Sequence, residues 1–204
     1  MWSVNLRLMD DRACRESQLA VRAQGGCGAS FEALVRAYQV PVLAFLMRRG
    51  ASRADAEDLV QETFLRAYRS LHRFDPRQRF AAWLFTIAHR LALNHWRDRR
   101  PGEGGDATAT LASSRPSPHD EVAAADAGDR LWDHARAVLT PERFTMLWLR
   151  VAEDLSPGEI AAVVGRSGVS VRVELHRARR QLQQSLAASR RIDMENDHAR
   201  PACT

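Results

Sequence analysis

Apolar positions recur at three- and four-residue intervals in five segments of the chain, the period of helices that each bury one face. In the first, Phe31, Leu34, Val35, Tyr38, Val42 and Phe45 form a stripe, with Ser30 placed to cap it, Pro41 to bend it and Gly50 to end it. A second helix is expected from Ser52, with Asp55 at the capping-box position. It buries Ala56, Leu59, Val60, Thr63, Phe64, Ala67 and Leu71 and turns Asp58, Gln61, Glu62 and Leu65 outward. After the loop at 72–79, HRFDPRQR, a third helix over 80–100 has Trp83, Leu84, Ile87, Ala88 and Leu91 as its core stripe. His89, Arg90, Asn94 and Arg97 are its expected polar exposures.

The last two segments form one unit, LSPGEIAAVVGRSGVSVRVELHRARR at 155–180. Ser156 is an N-cap, Pro157 follows at the first helical position, Glu159 closes a capping box and Gly165 ends the helix. Ser167 caps the next, where Val171, Leu175, Ala178 and Leu182 must face the core. At about 100° per residue, Val169, Val173, His176, Arg177 and Arg180 point away from that stripe, flanked by Arg172. A capped helix, a glycine turn and a second helix with a basic face make a DNA-reading helix-turn-helix, suited to the major groove. The alternative is a basic helical hairpin whose charged face is merely solvated.

Composition and charge sharpen this outline. The chain has 204 residues, 45% of them hydrophobic, room for one large or two small domains. It contains no run of 18 apolar residues and no signal-peptide pattern at its start, from which a soluble intracellular protein is expected. All 30 basic residues are arginine. Net charge is +7 over 1–100, −4 over 101–128 and +2 over 129–188. Two basic modules are therefore joined by an acidic tether rich in Gly, Pro, Ser, Thr and Ala, which reads as a flexible linker long enough to let them sit apart. Cys14, Cys27 and Cys203 show neither a CxxC pair nor an adjacent histidine ligand, so no metal site and no disulfide framework is expected.

The outer face of the second helix is acidic on a module that is otherwise basic. Phosphate repels such a face, so a basic protein surface suits it better. On the third helix and its loop, arginines are interleaved with Phe74, Phe80, Trp83, Phe85 and Trp96, the cations and flat rings that hold unstacked single strands. Phe85 and Trp96 are read as core.

DAEDLVQETFLRAYRSLHRFDP at 55–76, FAAWLFTIAHRLALNHWRDRR at 80–100 and the helix-turn-helix at 155–182 together resemble the extracytoplasmic-function sigma factors, a sigma-70 subfamily of bacterial RNA polymerase. The resemblance implies an all-α fold of two small helical domains: sigma region 2 at 22–100 and region 4 at 129–188, with the linker at 101–128. Residues 1–21 are expected to be disordered and 189–204 a tail. It implies a cytoplasmic, non-enzymatic protein without cofactor or metal. Its partners would be the core polymerase (beta-prime coiled coil and beta flap), duplex and melted promoter DNA and an anti-sigma factor, with no direct membrane insertion.

By the same resemblance Asp58, Leu59, Val60, Gln61 and Glu62 dock on the beta-prime coiled coil. Arg73, Phe74, Arg77, Arg79, Trp83, His89, Arg90, Asn94 and Arg97 capture the minus-ten element as it opens, without ATP. Ser167, Val169, Ser170, Arg172, Val173, Glu174, His176, Arg177 and Arg180 read the minus-thirty-five element. Two positions depart from the family: Arg166 in the turn, where an aliphatic residue is usual, and Glu174, where a basic residue is common. Glu174 either pairs with Arg177 along the helix or accepts from a cytosine amino group.

Two other readings stand beside this one. A helix-turn-helix regulator that does not join polymerase explains 129–188 equally well. A magnesium-dependent, all-helical nucleotide hydrolase would use the carboxylates of Asp55, Asp58 and Glu62.

Overall fold

A computed structural model describes the backbone of residues 2–98 and 127–198 and the side chains of 13–98 and 130–189. The linker up to residue 126, Cys203 and the last six residues of the tail lie outside the described residues. The described residues are helical: α1 (Trp2–Gln24), α2 (Gly28–Arg48), α3 (Arg53–Ser70), a 3-10 turn (Leu71–Arg73), α4 (Phe80–Asp98), α5 (Ala127–Val138), α6 (Pro141–Val151), α7 (Pro157–Val164) and α8 (Gly168–His198).

Residues 1–21, expected to be disordered, instead carry most of α1, which packs on α2, α4 and the 3-10 turn. Ala20 and Ala23 are buried there. Two small residues make too short a stripe to mark the helix in sequence, yet they let it lie close to its neighbours. Gly26 takes a positive φ of 91°, which turns the chain back into α2.

α2 begins at Gly28 with Cys27 in the N-cap place, so Ser30 is not its cap. The Ser30 hydroxyl is buried and donates to Cys27 Sγ at 3.2 Å. By length and composition α2 could cross a membrane, but Leu34, Tyr38, Val42, Phe45 and Leu46 are buried in the protein core. Tyr38 and Phe45 meet Phe85 edge to face at 6.5 and 5.3 Å, tying α2 to α4. In α3 the Ser52 hydroxyl accepts from Asp55 N as its sequence predicts.

In the C-terminal module both halves of the Ser156 and Glu159 capping box form. Gly165 ends α7 at φ 71°, and Arg166 N reaches Ala161 O at 3.0 Å to close the turn. Ser167 caps α8, accepting from Ser170 N at 3.2 Å. Val171, Leu175 and Ala178 are buried as their spacing requires. Beneath them α6 supplies Phe144, Met146, Leu147, Trp148 and Leu149.

The two modules pack together rather than sitting apart. α4 lies against α7, α5 touches α2, and the buried residues of both modules form one continuous cluster. Arg48 pairs with Asp133 across the junction at 2.8 Å.

Candidate polymerase and nucleic-acid interfaces

Three surfaces collect the residues expected to act. On α3, Asp58 and Gln61 are exposed and Glu62 is half-buried, its Oε1 accepting from Arg66 Nε at 2.6 Å. Leu59, placed on the docking segment by the resemblance, is buried as its apolar stripe predicts, and Val60 is half-buried against the core. These two hold the helix while their neighbours face outward. The acidic row continues into Leu65 and Tyr68, 51% and 61% exposed, on the same helical face. Tyr68 is packed edge to face on Phe31 at 5.0 Å, which fixes its ring at the surface. The signal for Tyr68 was its position three residues beyond Leu65.

The second surface is the loop after α3 with the outer side of α4. Arg73 and Arg77 are exposed, and so are Arg90, Asn94 and Arg97 along α4. Phe74 is not available to a base: it is 3% exposed and packs on Phe80 and Trp83 at 5.7 and 5.3 Å. Trp83 is half-buried in the same stack. Asp75 Oδ1 accepts from Arg77 N at 2.9 Å and Asp75 O from Gln78 N at 2.9 Å, so the loop folds on itself above this aromatic base.

His89 is buried, not among the exposed groups of α4. Its Nδ1 lies 2.6 Å from Arg49 Nη1, and Arg49 stacks over Trp96 at 4.7 Å and Phe45 at 5.5 Å. Burial, with the charges of Arg49 and Arg90, lowers the His89 pKa to about 3, so the ring is neutral. A guanidinium only donates, so Nδ1 accepts and the proton sits on Nε2. Burial also lowers Arg49 to about 10, against the opposing pull of Glu142.

Arg79, expected to meet DNA, is held by the C-terminal module. Its Nη1 donates to Asp154 O at 2.9 Å and its Nη2 to Glu153 O at 3.5 Å, while Nε lies 3.9 Å from Glu159 Oε1. Asp154 has a left-handed φ of 49°, the backbone state that turns the chain between α6 and α7.

The third surface is α8. Val169, Arg172, Val173, His176, Arg177 and Arg180 are exposed on it, and Ser167 and Ser170 stand at its start. Glu174 is tied down instead: Oε2 accepts from Arg143 Nε at 2.7 Å and Oε1 from Arg177 Nη1 at 2.8 Å. The Arg143 hydrogen bond, then that of Arg177, holds its carboxyl below the usual carboxylate range. Arg166, the other departure, sets its single Nη2 between the two carboxylate oxygens of Glu142, at 2.8 and 2.6 Å. Of the carboxylates that a hydrolase would use, Asp55 accepts from the Ser52 hydroxyl and Glu62 from Arg66, while Asp58 is exposed.

Comparisons with known proteins place these surfaces in a family. The family model for Sigma-70 region 2 matches residues 34–101, and that for Sigma-70, region 4 matches 130–182. The chain is 34% identical over 184 residues to the ECF RNA polymerase sigma factor BldN of Streptomyces coelicolor, covering 87% of this chain and 68% of that one. It is 30% identical to the RNA polymerase sigma-H factor of Pseudomonas aeruginosa over 195 residues, covering 84% and 94%. A solved structure of CnrH in complex with the cytosolic domain of CnrY superposes with a TM-score of 0.61 at 26% identity, covering 85% of this chain and 98% of that chain. With both family regions present in order on an all-helical fold, the chain belongs to the extracytoplasmic-function sigma factors of the sigma-70 family and is an RNA polymerase sigma factor.

Proposed function

We propose that the three surfaces divide the work of initiation. The α3 row of Asp58, Gln61 and Glu62, with Leu65 and Tyr68, docks on the beta-prime coiled coil of core polymerase, an acidic and apolar face against a basic one. The loop at 73–79 and the α4 residues Trp83, Arg90, Asn94 and Arg97 capture the minus-ten strand. The α8 face of Val169, Arg172, Val173, His176, Arg177 and Arg180 reads the minus-thirty-five duplex. The protein works in the cytoplasm and performs no chemistry of its own, since opening is driven by holding the unpaired strand.

The observation that carries this reading is the separation of charge by face. α3 presents the Asp58 carboxylate outward, with Glu62 beside it paired to Arg66, while Glu174 is paired on α8 with Arg143 and Arg177, leaving the exposed row there basic or apolar. One end suits protein and the other suits phosphate. Sequencing run-off transcripts made from genomic DNA by core polymerase plus this chain tests the reading. Transcripts should begin downstream of one shared pair of elements, and Asn94→Ala should slow opening on duplex far more than on pre-melted DNA. Transcripts without shared elements would exclude it.

CnrH was solved with the cytosolic domain of CnrY. We extend that architecture to this chain as a complex with an anti-sigma protein; copurifying proteins that compete with core polymerase for the chain would identify it.

A further inference from the structure

We propose that Gln24 is a positioning residue for promoter opening, its side-chain amide holding the turn that leads into the minus-ten loop. The inference rests on the assignment of residues 73–79 to strand capture. Gln24 ends α1, before the stretch matched by the region 2 family model, which begins at residue 34. Its Nε2 donates to Leu71 O at 2.8 Å and to Phe74 O at 2.7 Å, carbonyls that bracket the 3-10 turn. An amide nitrogen has two hydrogens, and both are spent on this turn.

The donor stands on a fixed base. The end of α1 is closed by Gly25 N to Val21 O at 3.1 Å, Gly26 N to Ala23 O at 3.0 Å and Cys27 N to Arg22 O at 3.1 Å. Ala20 and Ala23 are buried beneath it. What it holds is the junction between two working surfaces. Leu71 caps the end of α3, and Phe74 begins the loop. The Phe74 ring is pinned on Phe80 and Trp83, while Gln24 pins its carbonyl. Arg73 and Arg77, exposed on either side of Phe74, therefore rise from a backbone set before DNA arrives. A preset loop holds a base in one geometry, so Gln24 bears on base discrimination as well as on rate.

The test compares Gln24→Leu and Gln24→Glu, which both lack the amide donors, with Gln24→Lys, which restores donors at similar reach. Holoenzyme is assembled from each full-length chain and core polymerase, on a promoter found by run-off sequencing. Opening is then timed on that promoter and on versions with single minus-ten bases changed. Gln24→Leu and Gln24→Glu should slow opening about tenfold, the size expected for one or two lost hydrogen bonds. They should also narrow the preference for the native minus-ten bases, with affinity for core polymerase unchanged, and Gln24→Lys should recover both. Wild-type opening in either donorless variant, an unchanged base preference, or no recovery in Gln24→Lys overturns the inference. If one donorless variant does not fold, the other is read against Gln24→Lys. Arg77→Ala and Asn94→Ala run alongside: if neither slows opening, the minus-ten assignment itself fails, whereas slowing in these alone removes only Gln24.

Discussion

Arg143 of α6 donates its Nε to Glu174 of α8 at 2.7 Å, and its Nη1 reaches Gln181 Oε1 at 3.0 Å, about two turns further along the same face of that helix. Gln181 Nε2 in turn donates to Val138 O at 2.8 Å, so the polar tie extends to the end of α5. Glu174, read either as pairing with Arg177 or as accepting from a cytosine, does pair with Arg177 and is held by Arg143 as well, which braces the reading helix.

Glu174→Arg should consequently destabilise the C-terminal module by about 1–3 kcal/mol, because two charge-assisted hydrogen bonds are lost and the new cation faces both Arg143 and Arg177. Thermal unfolding of Glu174→Arg beside Arg143→Glu and the swapped double variant checks it. Partial recovery in the double variant is expected. Binding to single-base promoter variants should show the base preference of the wild type, and a change confined to one position would restore Glu174 to the reading face.

His89 gives a pH dependence with a definite sign. Its folded pKa is lowered to about 3, so below about pH 6.5 the unfolded chain takes up a proton that the folded one refuses. The stability contributed by the neutral ring is full above pH 6.5 and is lost as pH falls toward 3. Between pH 7 and 5 wild type should lose about 2 kcal/mol more than His89→Gln in urea unfolding. Equal losses would show that His89 is not protonated on unfolding.

Asp58→Arg should abolish capture of core polymerase while the circular dichroism melt stays within a degree or two of wild type, since the residue is exposed and a like-charge contact costs several kcal/mol. Tyr68→Ala should weaken capture about tenfold or more, as a large ring at an interface centre does. Wild-type binding in both variants would place the docking site elsewhere.

Arg79 bridges the modules through the Asp154 and Glu153 carbonyls. Arg79→Ala should loosen that junction, and small-angle scattering of the free chain should show a larger maximum dimension than wild type. Identical scattering would mean that the packing of α4 on α7 suffices without it. Because Arg79 is spent on this contact, its proposed role at the minus-ten strand requires the modules to separate first.

Local rules in the sequence determined the C-terminal reader almost completely. The Ser156 and Glu159 box, the Gly165 turn and the Val171, Leu175 and Ala178 stripe depend on neighbours within a few residues, and all form as their spacing dictates. The outward row of Asp58 and Gln61 on α3 follows from the same periodicity. Where the sequence misled or made no assignment, the deciding partner was distant along the chain. Arg49 captures His89 from 40 residues away, and Gln24 reaches Leu71 across 47. Arg143 binds Glu174 across 31 residues and Arg79 reaches Asp154 across 75. A helical wheel assigns a polar residue to solvent because it knows only its own helix. Burial of a polar group is affordable when a partner satisfies it, and only the tertiary structure supplies that partner.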